Sequence, residues 1–183
     1  MNNQNSSFSY LLPLAILILL LTIISKEITN QGTTLNTGNV NMPIPSFSLP
    51  NLWVPTAELT QRDLMTGHVM LLHVWGSWCG ACRHEHEMLT KIADDYHIPI
   101  FSIDYKDDPE AARTWLREQG NPYVATAVDT TGSVSRGLGV HGTPDTFIID
   151  NHGIIRYRHV GTIDIDTWNE ILFPLITQYK NAG

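Results

Sequence analysis

The only two cysteines among the 183 residues of this chain stand three positions apart, where one hydrophobic pattern ends and another begins. Before them, residues 69–75 form a short apolar run of the kind found in a buried strand. After them, residues 83–96 carry apolar side chains at helical spacing. The sequence therefore predicts a strand-to-helix turn, with Cys79 near the N-terminus of the helix and Cys82 three residues further on.

This placement favours redox chemistry. The free N–H groups and the dipole of a helix N-terminus stabilise the thiolate, which is the reactive form of cysteine. The spacing puts Cys82 within disulfide reach of Cys79, so Cys79 can attack a partner's disulfide and Cys82 can resolve the mixed disulfide. A C-x-x-C sequence between a strand and a helix is typical of a thioredoxin-type redox motif.

Two other uses of the cysteines stay open at this stage. A structural disulfide normally joins distant elements, because closing so small a loop constrains the unfolded chain little. A zinc site could include His86, four residues after Cys82, but no fourth ligand stands at motif spacing. We expect no metal and no other cofactor.

Charge limits the classes of partner. The formal net charge of −7 argues against nucleic acid. The 43% hydrophobic content is enough for the core of one ordinary domain. All 11 basic and 18 acidic residues lie at Lys26 or beyond, which marks the first 25 residues as a separate piece.

We predict four segments: an N-terminal segment at 1–7, a transmembrane signal anchor at 8–25, a flexible tether at 26–41 and a folded domain at 42–183. Residues 8–24 are almost wholly apolar, and as a helix they would reach roughly 25 Å, the short end of a membrane span. A cleaved signal peptide is the rival interpretation, but the basic n-region and the small-residue cleavage site that it requires are both missing.

The orientation of this anchor does not follow from flanking charge, because no Lys or Arg precedes it and only Lys26 follows it closely. Redox chemistry is the better guide, since disulfides persist in oxidising compartments outside the cytoplasm. We therefore expect a single-pass protein of the bacterial inner membrane with its folded domain in the periplasm.

The folded domain alternates strands and helices and closes with a hairpin and a helix. Asp108, Pro109 and Glu110 have the pattern of a helix start. Pro174 is expected to bend the last helix. Ile171 is among the residues of this helix that we expect to face the core. This order predicts an α/β fold with a mixed sheet that is covered on both faces. The predicted strands are 47–49, 69–75, 98–104, 124–128, 146–150 and 154–159, and the predicted helices are 56–64, 83–96, 108–119, 133–137 and 166–179.

Two motifs carry a resemblance to a known superfamily. Trp78, Cys79 and Cys82 form a Trp-Cys-x-x-Cys sequence after an apolar strand, and Thr143-Pro144 precedes a later strand. This combination resembles the thioredoxin superfamily. The resemblance implies a thioredoxin-like mixed sheet flanked by helices, here preceded by one N-terminal transmembrane helix.

Four further blocks narrow the resemblance, at residues 104–108, 120–123, 139–150 and 153–159. Together they are similar to the membrane-anchored thiol:disulfide interchange proteins of cytochrome c maturation, the CcmG/DsbE family. The similarity covers roughly residues 42–179, which is most of the predicted folded domain.

The resemblance implies a protein-disulfide reductase and its partners. Such an enzyme would receive electrons from a membrane thiol-disulfide transporter. It would pass them to the haem-attachment cysteines of apocytochrome c, or to a haem-lyase component that carries a mixed disulfide. The residue spacing does not give this direction. A general oxidant, a binding-only domain and a copper-handling module with His86 or His141 as third ligand stay open.

The resemblance also implies roles for individual residues. Cys79 matches the attacking cysteine and Cys82 the resolving one, which makes them a redox-active disulfide. Trp78 would shield Cys79 and contact the partner, although it would be equally suited to a core. Thr143-Pro144 matches the cis-proline loop, where the backbone of Thr143 can pair with a substrate strand.

Two polar residues, Asp145 and His73, complete the candidate site, and two more match the family without an assigned role. Asp145 stands where the subfamily has Glu, and a carboxylate near the thiols would raise a cysteine pKa. His73 occupies the position of a proton-handling Asp in thioredoxin, and it would be either a base for the second cysteine or a core histidine. Glu85 and His86 match a Glu-His step of the family, but the sequence assigns them no role.

Overall fold

The computed structural model describes residues 39–181 together with residues 13, 16, 17 and 19. The chain divides into two units, residues 1–36 and residues 37–183, and the second unit contains the sheet and the helices around it. Within the described part of the chain, no helix has both the length and the apolar character needed to span a membrane.

The predicted N-terminal segment, 1–7, and all but four residues of the predicted anchor lie outside the described residues, so the anchor stays a prediction. The predicted tether, 26–41, is described only from residue 39. Asn41 donates its backbone N–H to the carbonyl of Ile155 at 2.7 Å. The described residues at the end of the predicted tether therefore belong to the folded unit, which extends towards the N-terminus beyond the predicted boundary at residue 42.

Strands and helices alternate along the folded unit as the sequence predicts. The strands are β1 (Ser48–Pro50), β2 (Glu58–Thr60), β3 (Met70–Trp75), β4 (Ile100–Tyr105), β5 (Ala125–Asp129), β6 (Asp145–Ile149) and β7 (Ile155–Val160). The helices are α1 (Gly80–Asp94), α2 (Pro109–Gln119), α3 (Ser133–Gly137), α4 (Ile165–Thr167) and α5 (Phe173–Asn181). A short 3-10 helix, Gln61–Leu64, follows β2, and a π-helical segment, Trp168–Leu172, joins α4 to α5.

A five-stranded mixed sheet in the order β5-β4-β3-β6-β7 forms the centre of this unit. Strand β3 runs parallel to β4 and antiparallel to β6, while β4 and β5 are parallel and β6 and β7 form an antiparallel hairpin. Strands β1 and β2 make a separate two-stranded sheet. This architecture confirms the predicted thioredoxin-like α/β class.

The central strand β3 is buried on both faces, as its continuous apolar run predicts. Leu71 and Trp75 pack on one face with α1, α2 and the C-terminal helical segment, while Leu72 and Val74 pack on the other face. The crossovers β3-α1-β4 and β4-α2-β5 proceed in the same direction across the sheet. Because such crossovers are right-handed, they place α1 and α2 on the same face.

The segment predicted as a helical turn at 56–64 is instead strand β2 followed by the 3-10 helix. Thr60 forms a capping box: its hydroxyl accepts from the N–H of Arg62, and the Asp63 carboxylate accepts from the N–H of Thr60. Residues before Thr60 pair with β1. The helix therefore begins at Gln61 rather than at residue 56.

The last helix also departs from the prediction. Ile171, expected to point inward, is 37% exposed, while Trp168, Leu172 and Ile176 are buried. The cause is the π-helical segment, whose extra residue per turn shifts the inward face. That segment ends directly before Phe173 and Pro174, and Pro174 has no N–H with which to continue a regular ladder.

Candidate active site

Strand β3 ends at Trp75 and helix α1 begins at Gly80, so the cysteines lie on the predicted strand-to-helix turn. The helix starts three residues earlier than the predicted residue 83, because Cys79 is itself the N-cap. Its sulfur accepts a hydrogen bond from the N–H of Cys82 at 3.1 Å. The Cys79 sulfur therefore occupies the position that stabilises negative charge at a helix N-terminus.

A disulfide joins Cys79 to Cys82, whose Cα atoms are 5.3 Å apart. Both side chains are buried in the core cluster that also contains Trp75. Trp78, which directly precedes Cys79 in the chain, is 55% exposed. Its Nε1 donates to the carbonyl of Tyr105 at 3.3 Å, so the indole is held in place at the surface rather than packed in the core.

The loop that precedes β6 lies at the same end of the sheet. Val74, near the end of β3, is paired with Asp145 at the start of antiparallel β6, so this loop and the Cys79 turn leave the sheet side by side. The Thr143–Pro144 peptide bond in the loop is cis, as the resemblance implies. The hydroxyl of Thr143 is buried and has no hydrogen-bond partner among the described residues.

His73 and Glu85 form a fully buried pair on the face of the sheet that α1 covers. Their Nε2 and Oε1 atoms are 3.5 Å apart. His73 Nδ1 is 3.0 Å from the hydroxyl of Thr146, and Glu85 Oε2 accepts from the N–H of Ile163 at 2.7 Å. Because Glu85 lies three residues after Cys82, the two side chains share a face of α1, one turn apart.

Burial determines the protonation of this pair. It lowers the pKa of His73 to about 3, with a further contribution from the charge of His86. It raises the pKa of Glu85 to about 8, against the opposing hydrogen bond from Ile163. His73 therefore stays neutral near pH 7, which favours the core-histidine interpretation over the base interpretation. Glu85 is the group that can exchange a proton near neutral pH.

His86 has a structural environment. Its Nε2 is 3.1 Å from the carbonyl of Gly120, and its ring packs edge-on against Trp115 at 4.4 Å between centroids. These contacts connect α1 to the end of α2. In the range 39–181 and the four described N-terminal residues, no three His, Cys, Asp or Glu side chains are grouped so as to hold a metal ion.

Asp145 is not a lone carboxylate beside the thiols. Its two oxygens accept hydrogen bonds from Nε of Arg158 at 3.0 and 3.1 Å. Burial raises the pKa of Asp145, and Arg158 acts in the opposite direction. Arg158 therefore partly neutralises the charge of Asp145. This ion pair weakens the effect that we predicted for the carboxylate on a cysteine pKa.

Two residues of the site, Asp104 and Tyr123, were not predicted from the sequence. Asp104 is paired with Trp75 in the sheet and is fully buried, and within the described part of the chain neither of its carboxylate oxygens has a hydrogen-bond partner. Burial and the nearby Asp107 raise its pKa to about 8. Tyr123 stacks on His73 with ring centroids 5.9 Å apart. A polar residue at the end of a strand is ordinarily solvated, so no local signal distinguished Asp104.

Comparisons with known proteins agree with this geometry. The chain matches the Redoxin family over residues 39–171. It is 40% identical over 168 residues to the thiol:disulfide interchange protein DsbE of Pseudomonas aeruginosa, with 92% of each chain covered. It is 39% identical over 155 residues to DsbE of Escherichia coli K12, covering 84% of this chain and 83% of the relative. A solved structure assigned as DsbE from Chlorobium tepidum matches with a TM-score of 0.63 at 26% identity, covering 73% of this chain and 95% of the other.

Proposed function

Since this chain belongs to the Redoxin family and to its DsbE thiol:disulfide interchange proteins, we propose that it is the membrane-anchored, periplasmic reductant of a cytochrome c maturation system. The chain is a thiol-disulfide oxidoreductase. Its anchor would be residues 8–25. Its electron donor would be a membrane thiol-disulfide transporter, and its substrate the haem-attachment cysteines of apocytochrome c or a mixed disulfide on a haem-lyase component.

One observation carries the catalytic assignment: the Cys79 sulfur caps α1 in front of the buried Cys82. In the reduced protein, the Cys79 thiolate attacks one sulfur of the partner's disulfide. A Cys79–partner bond forms, the partner's own S–S bond breaks, and its second sulfur leaves as a thiolate. Cys82 then loses its proton and attacks the Cys79 sulfur, which releases the partner's first sulfur and restores the Cys79–Cys82 disulfide.

Two electrons move to the partner in this sequence, and its two thiolates take up two protons. In its ionised form, Glu85 is placed to receive the proton that Cys82 loses, because it lies one helical turn away. Its pKa is raised to about 8, so this form becomes the major one only above that pH. A cleft of about 380 Å³ between α1 and residues 162–165 has Glu85 in its lining, although the Glu85 side chain itself is buried. His73 would hold the Glu85 side chain in position.

Partner recognition would use two features beside Cys79, the exposed Trp78 and the half-buried Thr143. Trp78 presents an indole ring that the Tyr105 carbonyl holds in place. The backbone of Thr143 can pair with an extended segment of the substrate around its cystine.

Replacement of the resolving cysteine, Cys82→Ala, tests this proposal. In cells, the variant should accumulate a disulfide-linked adduct through Cys79, and the captured protein should be apocytochrome c or a haem-lyase component. The double replacement of Cys79 and Cys82 by Ala is the matched control and should capture nothing. Capture of many unrelated exported proteins, together with a strongly oxidising equilibrium against glutathione, would instead indicate a general oxidant.

A further inference from the structure

The guanidinium group of Arg158 on β7 connects the two ends of the loop that contains Thr143. At the C-terminal end, it donates to both oxygens of Asp145, through Nε at 3.0 and 3.1 Å and through Nη2 at 2.5 Å. At the N-terminal end, the same Nη2 donates to the carbonyl of Gly139 at 2.9 Å. One planar group thus bridges residues 139 and 145, and Thr143 lies between them.

This bridge is buried. The side chain of Arg158 is 8% exposed and that of Asp145 is 1% exposed. The guanidinium also lies over the ring of Phe147, with its central carbon 5.4 Å from the ring centroid. A buried bidentate ion pair between arginine and a carboxylate has a specific geometry. Salt screens it little, unlike an exposed ion pair.

The loop itself is shaped around the guanidinium. Gly139 has a φ of +81°, and a Cβ added there would lie 3.2 Å from Nη1 of Arg158. The N–H of Gly161, three residues beyond Arg158 in the chain, donates to the carbonyl of Pro144 at 3.0 Å. The N–H of Val140 donates to the carbonyl of Ser135 at 2.9 Å. These contacts secure the ends of the loop and leave its central residues presented at the site.

We propose that Arg158 is a positioning residue, which acts through Asp145 and Gly139 to hold the Thr143 backbone where a partner segment docks. The inference rests on the proposed function in that docking occurs beside Cys79. In this proposal the carboxylate of Asp145 helps to position the loop and does not act on the pKa of the thiols. His141 and His159 are the other groups with an electrostatic effect on the pKa of Asp145, which they lower, and neither bridges the loop.

The test compares Arg158→Gln with Arg158→Lys and with Arg156→Gln in the full-length protein. Arg156 is the matched control, because it lies on the same strand and pairs with Asp150 at 2.8 Å, away from the loop. Two oxidised substrates are reduced by each protein: a peptide with a Cys-x-x-Cys-His disulfide, and hydroxyethyl disulfide, which is too small to pair with the loop. Amide hydrogen exchange of residues 139–143 is measured alongside.

For Arg158→Gln we expect the ratio of kcat/KM for the peptide to that for the small disulfide to fall about tenfold, mainly through KM, because charged hydrogen bonds that order the loop are lost. Amide hydrogen exchange at residues 139–143 should accelerate. Arg158→Lys should recover part of both effects, since it keeps the charge without the fork. Arg156→Gln should change neither.

Two results for Arg158→Gln would overturn the inference. The first is an unchanged ratio of kcat/KM values together with unchanged amide hydrogen exchange in the loop. The second is an equal loss of kcat/KM with both substrates together with a shifted dithiol–disulfide equilibrium. The second result would mean that Asp145 acts on the thiols. Failure of the proposed function looks different, because Cys82→Ala would then capture proteins other than apocytochrome c or a haem-lyase component, while the effects of Arg158→Gln on the loop would be unchanged. The hydrogen-exchange measurement does not depend on the substrate. It therefore tests whether Arg158 orders the loop even if the peptide is a poor substrate.

Discussion

Replacement of Glu85 by Gln is expected to stabilise the protein, and the gain should depend on pH. The pKa of Glu85 is raised from its usual 4.5 to about 8 by burial, so the folded state binds this proton more tightly than the unfolded state. Below pH 4.5 both states are protonated and the group has no effect. Between pH 4.5 and about pH 8, Glu85 is ionised in the unfolded state and protonated in the folded state. The free energy of unfolding therefore falls as the pH rises through this range.

The size of the effect follows from the separation of the two pKa values. Each pH unit in this window contributes about 1.36 kcal/mol, so the cost is on the order of 3 kcal/mol at pH 7 and on the order of 5 kcal/mol at pH 8 and above. A Gln side chain has no ionisation to lose. Its carbonyl can accept from the N–H of Ile163, and its amide can donate to His73 Nε2, so both contacts of Glu85 have a replacement.

The assay is urea unfolding of the oxidised full-length protein in mild detergent, followed by tryptophan fluorescence between pH 4 and pH 9. Glu85→Gln should match the unmodified protein near pH 4 and become more stable by about 3 kcal/mol at pH 7. Glu87→Gln, an exposed position on the same helix, is the control and should show no such divergence. A difference that does not vary with pH, or a loss of stability at pH 7, would refute the reasoning.

Two further changes test the surroundings of the disulfide. Asp104→Asn should also stabilise the protein above pH 4, because it removes a buried acid whose pKa is raised from 3.8 to about 8. The gain should be on the order of 4 kcal/mol at pH 7. Unfolding curves across pH would show it, and a destabilised variant would contradict it. Gly76→Ala should displace the Trp78 indole, because the added Cβ would lie 2.6 Å from its Nε1. Tryptophan fluorescence should shift and the peptide's KM should rise with stability changed by less than about 1 kcal/mol, whereas an unchanged KM would show that the indole does not contact the partner.

Features that depend on residues a few positions apart were predictable. The strand-to-helix turn at Cys79, the helix start at Asp108 and the hairpin of β6 and β7 are all present near their predicted residues. Periodicity and capping act over one or two turns, so they can be recognised without knowledge of the fold. The errors at 56–64 and at Ile171 arose where strand pairing or a π-helical segment overrode the local pattern.

The amino-acid sequence alone determined the chemistry of this protein, because two cysteines at a helix start can reach each other whatever the remainder of the chain does. Only the tertiary structure decided which other groups act on them. Glu85 depends on Ile163, 78 residues away, and Asp145 depends on Arg158, 13 residues away on the neighbouring strand. The pKa of a carboxyl group follows from its burial and from the charges that pack against it, and those are established only when distant segments come together.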